Sequence, residues 1–184
     1  MIHVITKNAY LRLGLMHLFA EDEICINIPE SDCVCWEKEF TPSDVVIYHV
    51  DKMERPWLPK VLSISRKSKV FLFTSSLNPR MMAISNIIAM IDESSSLEII
   101  SSTVKDIYAC NIPSRQREIY LTVREHYVLA ETARGMPSYI IARLLDISVK
   151  TVSSHRRSGY RKLGIRNIHD IFLPLQENNC PLGG

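Results

Sequence analysis

Between Ser148 and Arg166 the chain reads SVKTVSSHRRSGYRKLGIR, a stretch with six cations (Lys150, Arg156, Arg157, Arg161, Lys162, Arg166) and no carboxylate. Ser148 is a good helix N-cap, and Val149, Val152, Tyr160 and Leu163 fall on or near one helical face. Gly164 stands where a C′ glycine ends a helix. The stretch is therefore one helix, seated by those four apolar residues. A charge run on a helix is ordinarily a solvated face with acids interleaved among the bases. Here the acids are missing, and the short Ser153 and Ser154 leave the N-terminal end unobstructed for entry into a groove. The pattern predicts a DNA-reading surface.

The preceding residues predict its scaffold. Leu121-Thr-Val-Arg-Glu125 opens a helix with Thr122 as N-cap and Glu125 three residues on, a capping box. An apolar row follows at Val128, Leu129 and Ala133, with a stop at Gly135. Pro137 suits the first turn of a second short helix whose buried side is Ile140, Ile141, Leu144 and Leu145. Asp146-Ile147 makes the tight connection into Ser148. Two short helices so joined form a helix-turn-helix, whose second helix lies in the major groove.

LTVREHYVLAETARGMP, IIARLLDISVKTVSSH and RKLGI, in that order and spacing, resemble the C-terminal DNA-binding domain of the LuxR/FixJ/NarL regulators over roughly 60 residues. Within that family KTVSSHRRSGYRKLG is most similar to the Rcs-type enteric regulators. The resemblance implies an all-α four-helix domain that pairs through its last helix and binds a two-fold symmetric operator. Counted from the Thr-Val pair, it implies base-edge contact by Ser153, Ser154 and Arg157. Arginine binds guanine O6 and N7 bidentately, and serine donates to or accepts from several bases. Lys150, Thr151, His155, Arg161 and Lys162 are the expected phosphate contacts, with Thr151 near a helix N-terminus that favours anions.

Charge divides the same way. Residues 1–110 carry 11 Lys+Arg against 14 Asp+Glu, net −3, and the rest 11 against 6, net +5. The positive part holds the helix-turn-helix. No basic leader precedes the first strand-like run, and no apolar stretch approaches the length of a membrane span, so a cytoplasmic protein without a membrane partner is expected. The five cysteines (Cys25, Cys33, Cys35, Cys110, Cys180) lack paired metal-ligand spacing. Cys33 and Cys35 read as reduced helix residues, and neither metal nor cofactor is expected. No nucleophile elbow, phosphate loop or Gly-rich fingerprint suggests an enzyme.

Ahead of the basic half, strand and helix patterns alternate. Strands are expected at Ile2–Ile5, Ile24–Ile28, Asp44–Val50, Val70–Phe73 and Ile87–Ile91. Helices are expected at Tyr10–Ala20 (Leu11, Leu15, Leu18 and Phe19 inward), Ser31–Phe40, a Pro-interrupted Trp57–Arg66, a weak Pro79–Ser85, and Ser96–Ala109 with a stripe of Leu97, Ile100, Val104 and Ile107. Continuous apolar strands suit a parallel sheet covered on both faces. The expectation is an α/β doubly wound, five-stranded parallel domain over residues 1–106, a linker at 107–120, and the helix-turn-helix domain over 121–184.

A βα domain in this position resembles a response-regulator receiver. Such a domain holds Mg²⁺ with acids after its first strand and accepts phosphate on an aspartate ending its third. A hydroxyl after the fourth strand and a lysine after the fifth complete it. Aligned on Gly14, this chain offers Thr6 and Lys7 for the acid pair and His49 for the aspartate. Thr74 keeps the hydroxyl position, and Ile91 or Asp92 stands near that of the lysine. Lys7 opposes a metal by like charge; His49 marks a degenerate phosphoacceptor position and reads as a satisfied histidine at a strand end.

Asn167 caps a last helix with Ile168, Ile171, Phe172 and Leu175 as its apolar side. Pro174 shortens that helix to about seven residues. The sequence thus points to a regulator of transcription that binds double-stranded DNA without aspartate phosphorylation. It pairs as a homodimer, or acts as an auxiliary chain in a heterodimer with a related regulator.

Overall fold

The structure, a computed structural model, describes residues 1–20, 26–27, 40–50, 57–75, 79–109 and 119–167. All five cysteines, the expected helix at Ser31–Phe40 apart from Phe40 itself, and the expected last helix beyond Asn167 lie outside the described residues. The strands are β1 (Ile2–Ile5), β2 (Ile26–Asn27), β3 (Val45–Val50), β4 (Lys69–Thr74) and β5 (Ile87–Asp92), all parallel in the order β2-β1-β3-β4-β5. That order is the flavodoxin-like doubly wound arrangement, with its switch point between the first and third strands. The body of the sheet is β1, β3, β4 and β5; β2 adds two residues at the edge.

Alternation along the strands supplies two cores, because successive side chains leave opposite faces. Val46, Tyr48, Val70 and Leu72 face α2 (Trp57–Ile64), while Val45, Ile47, Phe71 and Phe73 face α1 (Ala9–Leu18) and α3 (Leu97–Tyr108). Pro59 does not interrupt α2. It is the third residue of the helix, in the first turn, where its missing N–H has no intrahelical partner to lose. The weak helix expected at Pro79–Ser85 is a 3-10 segment, Pro79–Ala83. Leu97, expected in the inward stripe of α3, is 67% exposed because it opens the helix beyond the edge of the core.

The C-terminal helices are α4 (Val123–Ala133), α5 (Ser138–Leu145) and α6 (Val149–Leu163). They sit directly on the α2 face of the sheet. Leu121, Leu129, Ala130, Tyr160, Leu163 and Ile165 join one buried cluster with Leu58, Leu62, Met81 and Ile84. Polar contacts cross the same seam: Leu121 N–H donates to the Ala83 carbonyl (2.8 Å), Arg134 donates to Ser63 (3.0 Å), and the Arg66 guanidinium lies over the Tyr127 ring at 5.4 Å. At its centre His126 Nε2 lies 3.1 Å from Ser65 Oγ, which also donates to the Leu62 carbonyl. Burial, with the Arg66 charge adding to it, holds the His126 pKa down at about 4. The imidazole is therefore neutral here at ordinary pH.

Candidate DNA-reading helix and its scaffold

Ser148 caps α6 as its residue type predicts: its Oγ accepts from Thr151 N–H (3.0 Å) and meets the Thr151 hydroxyl at 2.9 Å. At the other end Gly164 (φ +69°) donates to Arg161 O and Ile165 to Tyr160 O, the paired bonds of a Schellman stop. The turn before α6 uses Asp146 in the left-handed region (φ 53°), with Ile147 N–H returning to Ala142 O at 3.0 Å. Left-handed backbone costs an L residue about 1 kcal/mol, less for Asp and Asn. Asp146→Gly is accordingly expected to raise thermal stability slightly without altering DNA binding, which a melting curve and a binding isotherm check together.

Exposure along α6 resolves into faces. Lys150, Ser154, Arg157 and Arg161, spaced at four, three and four residues, are exposed as one stripe. Thr151, Ser153, His155 and Arg156 are half-buried at its margins, Arg156 donating to Ser138 Oγ at 3.4 Å. Val152, Tyr160 and Leu163 are buried as expected. Val149 is not, being 47% exposed in the first turn, ahead of the packed part of the helix. In α5, Ile141 and Ala142 form the buried side with Val128 and Val152, whereas Leu144, expected inward, is 58% exposed. Of the three expected base-contact residues, Ser154 and Arg157 stand on the open stripe, and Ser153 is half-buried beside it.

Lys162 is placed differently from the expectation. Its ammonium is turned inward, donating to Glu125 Oε2 at 2.6 Å and to the Tyr120 carbonyl at 2.9 Å. Glu125 is 4% exposed and closes the capping box of α4, accepting from Thr122 N–H at 2.8 Å while Thr122 Oγ1 accepts from Glu125 N–H at 3.2 Å. Burial pushes its pKa up, but the hydrogen bonds from Lys162, Thr122 and Ser158 outweigh that and hold it below the usual range. The carboxylate thus stays charged, and Lys162 ties α6 to the start of α4. Lys162 is thereby a staple between the two helices, with two of its three N–H donors committed. Sequence reading missed the pair because the two residues lie 37 positions apart. The signal was present only as a capping-box glutamate with no cation three or four residues from it along α4.

Gly159 fixes how closely the two helices approach. A Cβ there would lie 2.7 Å from Leu129 Cδ1, so Gly159→Val is expected to push α6 off α4. The resulting loss of stability, roughly 1–3 kcal/mol for overpacking, is measured by denaturant unfolding.

At the switch point, Thr6 and His49 meet. His49, 5% exposed at the end of β3, has Nδ1 2.9 Å from Thr6 Oγ1 and Nε2 3.2 Å from Glu93 Oε1. Thr6 Oγ1 in turn accepts from Asn8 N–H at 3.0 Å. Thr6 and Glu93 thus occupy both ring nitrogens of His49. Among the described residues no group of three or more His, Cys, Asp or Glu side chains is arranged to hold a metal, and no helix is long and apolar enough to cross a membrane.

A capped helix-turn-helix presenting a cationic stripe is the architecture of a DNA-binding domain. Residues 120–173 match the family described as bacterial regulatory proteins, luxR family, so this part of the chain is a LuxR-family helix-turn-helix domain. No curated protein sequence matches the chain significantly. Among solved structures, it is similar to the RcsB response regulator of Salmonella typhimurium, at 16% identity over 93% of this chain and 96% of that one, with a TM-score of 0.45. It is also similar to full-length FixJ from B. japonicum, at 17% identity over 93% of each chain, TM-score 0.40. A third similar structure is the response regulator StyR, at 20% identity over 93% and 95%, TM-score 0.40.

Proposed function

We propose that this protein is a sequence-specific DNA-binding regulator of transcription in which α6 enters the major groove, and that aspartate phosphorylation does not control it. The observation that carries the reading is the acid-free exposed stripe of Lys150, Ser154, Arg157 and Arg161 within a LuxR-family domain. Arg157, at the middle of the stripe with Ser154 one turn earlier, supplies the main base readout, with Ser153 at the margin. Lys150, Thr151, His155 and Arg161 hold the flanking phosphates. Arg157→Ala is expected to cost roughly 1–3 kcal/mol on the preferred site and to relax its sequence preference. Arg161→Ala is expected to weaken specific and random DNA alike and to lower the salt slope by about one. Fluorescence anisotropy on both DNAs at several salt concentrations separates the two; identical losses for both variants on both DNAs contradict the assignment.

Phosphate-independent control is supported by His49, hydrogen-bonded on both ring nitrogens where the resemblance puts the phosphoacceptor, and by Lys7 where it puts a metal-holding acid. Magnesium with beryllofluoride is expected to leave the DNA isotherm unchanged; tighter binding would contradict this. The operator-binding unit is a pair of LuxR-type chains. Pro174 in the expected pairing helix favours a related regulator as the second chain over another copy. Sedimentation of the purified protein on a palindromic site distinguishes the two.

A further inference from the structure

Beside His49, on the face of the sheet away from the DNA-binding helices, α1 and α3 stand apart over a cleft of about 340 Å³. Its walls are apolar, built from Leu11, Leu15, Phe73 and Ile100, with the 88% exposed Tyr10 ring at its rim. One end is polar, where Asn8, His49, Glu93 and Ser95 converge. This size and this mixture, an apolar body with a few polar groups at one end, are those of small-molecule sites. Its place at the carboxyl ends of β3 and β4, beside the switch point, is where open α/β sheets take ligands.

Charge selects the occupant. Glu93 is 35% exposed by its side chain, lines the cleft and meets His49 Nε2 at 3.2 Å through Oε1. No lysine or arginine lines the cleft among the described residues. Gly14 lies on its wall inside α1, where an added Cβ would meet nothing within 4 Å. Glycine inside a helix costs about 1 kcal/mol relative to alanine. No packing demand accounts for it here, and its effect is to leave the cleft open.

We propose that this cleft binds a small organic amine, its ammonium group on Glu93 with Asn8 and Ser95 beside it, and its aromatic or alkyl body between α1 and α3. The site differs from phosphoryl chemistry in both charge and shape: it takes a cation with an apolar body and needs no metal. The inference stands independently of DNA reading.

The test uses the purified full chain with tryptamine and indole-3-acetate, two probes of similar body and opposite charge. Calorimetric titration is expected to give a Kd at least about tenfold lower for tryptamine, a preference that collapses to within about twofold in Glu93→Gln. Gly14→Leu, which fills the cleft from a position with open space, is expected to lose binding while keeping the wild-type melting temperature or exceeding it. Equal affinity for the two probes, no tryptamine binding, or binding that survives Gly14→Leu would each overturn the proposal.

Discussion

Lys162→Met is expected to destabilise the protein by about 3 kcal/mol, an effect on folding and not on DNA chemistry. The variant keeps the aliphatic stem but removes the ammonium that neutralises Glu125, a carboxylate only 4% exposed. Removing one partner of a buried pair leaves the other charge desolvated and uncompensated, and costs more than the pair itself contributes. Glu125→Gln in the same chain removes that stranded charge while keeping an oxygen for Thr122 N–H, so the double variant is expected to recover most of the loss. Denaturant unfolding of the two single variants and the double closes the cycle. Arg157→Ala, exposed and in the same helix, is expected to move stability by less than about 0.5 kcal/mol. A Lys162→Met protein of wild-type stability with uniformly weakened DNA binding would return Lys162 to the phosphate-contact role.

Acid is expected to loosen the seam between the sheet and the DNA-binding helices before it titrates the carboxylates. His126 is held near pKa 4 in the folded protein against 6.5 when unfolded. A histidine whose folded pKa is depressed contributes stability that is complete above the unfolded value and is lost as pH falls through the gap. The loss here runs from pH 6.5 toward 4, amounting to about 2 kcal/mol by pH 5 and about 3 kcal/mol in all. His126→Gln removes the titration, and the slope of stability against pH between 6.5 and 5 is expected to flatten. Asp44, held down at about 2, and Glu125, also lowered, lose their contributions only at lower pH. They do not produce the slope in that window. An unchanged slope in His126→Gln would place the acid sensitivity elsewhere.

Where local pattern decides structure, the sequence was readable. The strands at Ile2–Ile5, Val45–Val50, Lys69–Thr74 and Ile87–Asp92 are apolar runs too short for helices, and Ser148, Thr122, Gly135 and Gly164 act as caps and stops where their side chains and backbone freedom put them. Helix faces were legible in part. Val149, Leu97 and Leu144 have the right period but stand near helix ends, where the core has stopped, so they remain exposed. Periodicity states which residues share a face and not how far along the helix that face is covered.

What the sequence concealed is long-range. A lysine in a basic helix is indistinguishable from its neighbours until a carboxylate from another helix is found beneath it, as Glu125 is beneath Lys162. The seam between the two halves was hidden for the same reason. Its signal was α2 itself, whose Leu58, Pro59, Val61, Leu62 and Ile64 are all buried. A helix apolar on nearly every side must be covered on nearly every side. The sheet covers one, and α4 covers another through Ser63, Ser65 and His126. At the switch point the sequence placed His49 at a strand end, but neither of its partners, Thr6 and Glu93, the latter reaching back from beyond β5, was foreseen.

The central claim is that α6 reads DNA sequence, and selection of genomic fragments by the purified protein tests it most directly. The selection is run at about 0.15 M salt, where non-specific phosphate binding is suppressed. Wild-type protein, alone or with the LuxR-type partner added, is expected to enrich a shared two-fold symmetric sequence that Arg157→Ala fails to enrich. Retention of fragments with no common sequence by the wild type, or the same enriched sequence from Arg157→Ala, would contradict the account.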